Sequence, residues 1–406
     1  MNLSTTEAGV FEAIAEIDVI DAHEHLVPES VRVAMKVDFF ILFAHYCRAD
    51  LISAGMAPDT YARLLDDEEM GPDEKWEQFA PFYPMIKHGS YARPARIWLN
   101  EVLGHEDLTA ANCVEVSEQL QSENTPGVYE RILRDQCHIR SALVDNSEHH
   151  EQFDMDLLKP LWRFSQYTMP ATVQHAGAAT LDAYLDQVDA EGERMIGVGA
   201  FGLKMMVFEY NPRSRERAAE AFALMADPSR AGELTREHVM AFQSAVCDRA
   251  FEVAKRHDLT VAVHSGVWGD FRESHPCHLI PMAAANPGVN FDLFHLGMPF
   301  VREATFVGKM YPNVSLNLCW NSVVSPEVTV RMLDECIDMV PLNNIIAFGA
   351  DYRTAVEKIY GHLVMAKESV ARALAKRIDR GQMDLAEAVR IAEMWFHGNP
   401  VRIYGL

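Results

Sequence analysis

Two histidines, two residues apart, close the first apolar run of the chain: Ile17-Asp18-Val19-Ile20-Asp21-Ala22-His23-Glu24-His25. In an extended strand residues i and i+2 point to one face, so both imidazoles can reach a single ion. A strand that ends this way constrains everything after it. Later elements must bring further ligands to the same end, or the pair is only a polar strand terminus.

Seven more short apolar runs follow, at 139–144, 167–173, 198–207, 259–263, 290–294, 314–318 and 344–348. Amphipathic stretches such as 215–226, 236–257 and 325–339 separate the later ones. Strands alternating with helical patterns imply parallel pairing with helical crossovers, and eight of them predict an α/β fold, the (β/α)8 TIM barrel. The chain has 406 residues, more than the roughly 250 of a typical barrel. The excess falls at 31–136, a stretch of helix formers and aromatics (Phe39, Phe40, Phe43, Tyr46, Trp76, Phe79) punctuated by Pro58, Pro72, Pro81, Pro84 and Pro94. The expected division is a catalytic barrel from 1–30 and 137–406, with 31–136 as a helical insertion. Because the insertion leaves a strand at its C-terminal end, it should lie over the active-site face. Residues 395–404 read as a docked C-terminal helix.

The formal charge of −23 opposes nucleic acid and anionic membranes as partners, since the long-range field repels both. An acidic substrate would need a local cationic pocket. Seven scattered cysteines without a C-x-x-C pair do not form a disulfide framework. The first twenty residues carry acids and no long apolar run, neither a signal peptide nor a membrane span. The expectation is a cytoplasmic protein that acts on a small molecule, with a homo-oligomer left open.

The remaining ligand types stand where later strands should end. Lys204 lies in Gly202-Leu203-Lys204-Met205, His264 closes Val261-Ala262-Val263-His264, His295 closes Phe291-Asp292-Leu293-Phe294-His295, and Asp351 closes Ile346-Ala347-Phe348-Gly349-Ala350-Asp351. Barrel strands converge at their C-terminal ends, so these residues would meet. Each has a plainer reading: His295 as a core histidine, Lys204 as a snorkelling rim lysine, Asp351 as a helix cap. Four imidazoles and a carboxylate suit a divalent ion, zinc first, with manganese, iron or nickel as alternatives.

This ordered set resembles the amidohydrolase superfamily across most of the chain. The resemblance implies that His23, His25 and Asp351 bind one metal, that His264 and His295 bind a second, and that a carboxylated Lys204 bridges them. Asp351 would then act as general base and proton donor to the leaving group. With one metal, His295 would instead orient water or shuttle protons. A second resemblance is narrower. His45-Tyr46-Cys47-Arg48, Glu74-Lys75-Trp76-Glu77-Gln78-Phe79 and Asp351-Tyr352-Arg353 look like segments of uronate isomerases, which implies that Tyr46 and Arg353 contact a sugar acid. Those enzymes place an arginine just after the third strand, whereas Pro170-Ala171-Thr172-Val173-Gln174-His175 contains none. The expected activity is therefore a metal-dependent hydrolysis of a C–N, C–O or lactone bond. The alternatives are isomerisation of a sugar acid and non-oxidative decarboxylation by a mononuclear enzyme.

Overall fold

The computed structural model describes residues 3–146, 149–212, 214–267 and 269–406. Its strands are β1 (Val19–Glu24), β2 (Ile139–Val144), β3 (Leu158–Pro160), β4 (Trp162–Arg163), β5 (Leu203–Met206), β6 (Val261–His264), β7 (Phe291–Leu293), β8 (Val314–Asn317) and β9 (Ile345–Ile346). All pair in parallel in the orders β1-β2-β3 and β4-β5-β6-β7-β8-β9. β3 and β4 are separated only by Leu161, so together they fill one position and the barrel has eight. Closure runs through the backbone: Ala22 N–H donates to Phe348 O at 3.1 Å, Asp351 N–H to His23 O at 2.9 Å, and His25 N–H to Tyr352 O at 2.9 Å. The chain is a (β/α)8 barrel.

The strands are short, and most of their residues are buried, as expected when crossover helices cover the outer face of a parallel sheet. Inside, Ala22, Leu143, Leu161, Ala262, Phe294, Cys319 and Ile346 form a compact cluster. The C-terminal helix Asn399–Tyr404 closes it, contributing Ile403 and Tyr404. The Tyr404 hydroxyl donates to the buried Asp292 carboxylate at 2.7 Å.

One strand differs from expectation. Residues 167–173 are not the third strand: they belong to a 3-10 turn, Phe164–Thr168, and a helix, Pro170–His175. Pro170 explains the difference, because its missing N–H and fixed φ suit the first turn of a helix and would interrupt a central strand. The third barrel position is Leu158–Pro160 with Trp162–Arg163. The run at 198–207 is also shortened to Leu203–Met206, since Gly199 (φ 99°) turns the chain out of the helix Leu181–Gly197.

Between β1 and β2 the regular elements are helical, among them Cys47–Ser53, Pro58–Asp66, Pro72–Phe79, Arg93–Glu101 and Cys113–Glu123. Pro58, Pro72, Pro84 and Pro94 stand in first turns, where a proline forfeits no intrahelical bond. The aromatics Phe39, Phe40, Phe43, Phe79 and Tyr83 pack on one another. No helix among the described residues is long and apolar enough to cross a membrane.

Arg32 ties this segment to the barrel. It is fully buried and donates to Thr354 O at 2.7 Å, to Asn124 Oδ1, and to Glu357 Oε1 at 2.6 Å. Removing the guanidinium would leave Glu357 buried without its cation, which costs about 3–5 kcal/mol. Arg32→Met should therefore lower the unfolding free energy in urea by about that amount, whereas Arg140→Met, at the exposed pair with Asp18, should change it little. Equal, small effects would rule out Arg32 as the anchor.

Candidate metal centre and cavity

The structure brings His23, His25, Lys204, His264, His295 and Asp351 together at the C-terminal mouth of the barrel. His23 and His25, two residues apart, face the same side as strand alternation requires, although the register of β1 against β2 shifts between Asp21 and Glu24. Both imidazoles then point at one oxygen: His23 Nε2 lies 3.4 Å and His25 Nε2 3.2 Å from Asp351 Oδ1. Lys204 Nζ is 3.2 Å from His23 Nε2 and 4.0 Å above the Phe294 ring. His264 Nδ1 and His295 Nε2 are 3.0 Å apart.

These separations match the residues to a divalent ion. Two ligands about 2.05 Å from a tetrahedral ion stand about 3.3 Å from each other. The hydrogen bonds agree. His25 Nδ1–H donates to Asp145 O at 2.8 Å, which leaves the Nε2 lone pair facing a carboxylate oxygen. A neutral imidazole and a carboxylate repel in that arrangement unless a cation or an extra proton lies between them. Asp351 Oδ1 is itself buried without a hydrogen-bond donor. His264 Nε2–H donates to Val267 O at 3.0 Å, so its Nδ1 lone pair turns inward. Second partners of this kind orient metal ligands.

Burial sets the charge states. It pushes His23 and His264 well below the usual imidazole range, with Lys204 adding to the effect on His23 and His295 to that on His264. It lowers His295 to about 4 and drives Lys204 below its ordinary value. His25 differs: burial would lower it, but the facing Asp351 carboxylate outweighs this and raises it, whereas a metal would require each imidazole neutral. Burial alone would raise the Asp351 carboxyl, but the facing His23 and His25 bring it well below the usual carboxylate range. The backbone is strained at the same place: His45 (φ 64°), His295 (φ 62°), Trp320 (φ 65°) and Asp351 (φ 68°) are left-handed non-glycine residues, of a kind that collects at functional sites.

Above the ligands opens a cavity of about 410 Å³, lined by Tyr46, Asp145, Arg163, Trp320 and Met206 among others. Tyr46 comes from the helical segment between β1 and β2. It donates its hydroxyl to the Asp351 carbonyl at 2.7 Å, and its ring packs tilted against that of Trp320, centroids 4.4 Å apart. Arg353 is placed elsewhere: its side chain is exposed and does not line the cavity. The left-handed turn at Asp351 sends the Tyr352 ring inward against His362 and Arg353 outward.

Two charged residues of the site were not anticipated from the sequence. Asp145 directly follows β2, and Arg163 ends β4. The guanidinium donates from Nε to Asp145 Oδ1 at 2.8 Å and from a terminal nitrogen to Oδ2 at 2.6 Å. Burial would raise the Asp145 carboxyl, but Arg163 reverses this and holds it below its ordinary value. The third strand does therefore end in an arginine, and its apparent lack came from placing that strand at 167–173. A charge immediately after an apolar strand was the available signal for Asp145; Arg163, behind the strand broken by Pro160, offered none as clear.

Comparison with known proteins bears on the fold and the family. Two solved structures share the fold: a uronate isomerase from Thermotoga maritima (TM-score 0.82, 14% identity, covering 99% of this chain and 98% of that one), and a glucuronate isomerase from Caulobacter crescentus (TM-score 0.79, 18% identity, 99% and 94%). A stretch of 136 residues is 27% identical to Protein fluG of Emericella nidulans, spanning 33% of this chain and only 16% of that protein. The sequence model of the amidohydrolase family matches residues 20–406. With nearly the whole barrel covered by that match, this chain belongs to the amidohydrolase family.

Proposed function

We propose that the protein is a metal-dependent hydrolase that cleaves a C–N, C–O or lactone bond in a small, carboxylate-bearing molecule. The observation that carries this reading is the Lys204 amine, buried within the ligand cluster and 3.2 Å from His23 Nε2. One ion needs only His23, His25 and Asp351; Lys204, His264 and His295 are the donors a second would use. When bound, a divalent ion, zinc first, would lower the pKa of water towards roughly 7 and polarise the bond under attack. Burial favours a neutral Lys204 amine, the form that would add to carbon dioxide and give an anionic carbamate able to hold a divalent ion.

The chain's own groups divide the remaining work. Asp351 takes the proton from the attacking water and returns it to the leaving group. The Tyr46 hydroxyl holds the Asp351 main chain in place. Arg163, set by Asp145, presents a planar cation at the cavity wall, and a substrate carboxylate is the group its geometry favours. Trp320 and Met206 add apolar lining to the cavity.

A second reading, isomerisation of a sugar acid, is supported by Arg163 at the third strand, by Tyr46 and by the fold shared with two isomerases. It needs one metal and has no task for Lys204. Product analysis separates the two readings. Metal-loaded protein incubated with lactones, amides and esters should give two fragments. Turnover of hexuronates alone, with mass conserved, would transfer the assignment to the isomerase.

Protein grown with added zinc or manganese and bicarbonate should contain two metal equivalents, falling to one or fewer in Lys204→Ala. A single equivalent in both proteins would eliminate the lysine bridge. Arg163→Gln should raise KM about 10- to 100-fold, the loss of one charge-assisted hydrogen bond, for a carboxylated substrate and not for its methyl ester. An equal change for both would show that Arg163 does not read the carboxylate.

A further inference from the structure

Lys358 is fully buried at the start of the helix Glu357–Asp379, and among the described residues no carboxylate lies within ion-pair distance of it, Asp50 acting on it only from further away. Its Nζ donates to the Cys47 sulfur at 3.7 Å and lies 5.0 Å above the Tyr352 ring. Cys47 is fully buried as well, and its thiol donates to Tyr91 O at 3.2 Å. A buried ammonium without an anion is strongly disfavoured, and the first turn of a helix disfavours it further. Burial accordingly pushes Lys358 down, towards the neutral amine. The fold thus keeps a nucleophilic amine against a thiol, in a place where a methionine would fill the space without the penalty. No other described cysteine has a lysine within hydrogen-bond range.

We propose that Cys47 and Lys358 form a reversible covalent cross-link, a sulfenamide, when the protein meets hydrogen peroxide. In the first step the peroxide O–O and thiol S–H bonds break and an S–O bond forms. One water leaves, the sulfur having lost two electrons to the peroxide. In the second step Lys358 Nζ attacks that sulfur, the S–O bond breaks, and hydroxide departs as water with a proton from the nitrogen. Two added thiols reverse the link by attacking sulfur, restoring the amine and the Cys47 thiol and leaving with each other as a disulfide.

The position gives the link a consequence. Cys47 follows Tyr46, which holds the Asp351 carbonyl, while Lys358 packs on Tyr352, the neighbour of Asp351. A bond between them fastens the helical wall of the cavity to the segment that carries the carboxylate. Both atoms are closed off in the resting fold, so peroxide reaches them only when the segment around the strained His45 opens. The partly exposed Cys277 should react first and serves as an internal check on oxidant delivery.

The test is peptide mass analysis of the full-length protein after peroxide treatment and thiol blocking. The Cys47 and Lys358 peptides should appear joined, about 2 Da lighter than their sum, and should separate again in dithiothreitol. Because the link closes a long loop of chain, Tm should rise by roughly 3–8 °C and fall back on reduction. Lys358→Arg and Cys47→Ala should each abolish the joined peptide. Oxidation of Cys277 with the Cys47 peptide unlinked, whether as free thiol or as sulfinic acid, overturns the proposal, and the wild-type protein alone decides that even if a variant fails to fold.

Discussion

The hydrogen bonds between β1 and the chain after β9 are the contact on which the site depends. They close the barrel, and they also carry Asp351, from the segment after the last strand, onto His23 and His25 at the end of the first. Gly349 makes that approach possible. A Cβ there would stand 2.5 Å from the Cys319 Cβ and 2.9 Å from the His23 nitrogen, closer than atoms pack in any relaxed structure. The carboxyls of Asp21 and Glu24 secure the same seam, accepting the N–H groups of Ala350 and Tyr352. Barrel closure and ligand convergence are thus one event, and a lesion at the seam would be felt in both.

A second dependence runs through the helices between β1 and β2. Arg32 fixes them to Glu357 and Thr354, and their aromatics pack among themselves, which leaves Tyr46 free to serve as cavity wall and as clamp on Asp351. The left-handed residues at His45, His295, Trp320 and Asp351 are unfavourable one by one. They persist because the packing around them offers no relaxed alternative. The site is in this sense held by the rest of the molecule, as a preorganised constellation must be if its ligands are to meet a metal without rearrangement.

How far the chain can be read without coordinates depends on the range of the forces involved. The first strand with its histidine pair, and the strands leading to His264, His295 and Asp351, were legible because apolar runs and the ligand types after them are local patterns, although β7 and β9 end at Leu293 and Ile346, short of His295 and Asp351. The third strand was not. Its residues, Leu158 to Arg163, are broken by Pro160 and look no more strand-like than 167–173, where Pro170 begins a helix. That single misplacement hid Arg163, and with it the cation of the cavity. Arg353, named from its sequence context, is exposed and is not among the residues lining the cavity, although its charge reaches His45, which is.

Sequence alone therefore determined the barrel class, the six candidate ligands and the family they resemble, since each rests on periodicity and on residue types at strand ends. Tertiary structure decided which groups face one another: Asp145 against Arg163, Tyr46 on the Asp351 carbonyl, Lys204 on His23, and Lys358 beside Cys47. The last pair is separated by 311 positions. No local propensity records such a pairing, because it is set by the register of the barrel and the seating of helices upon it.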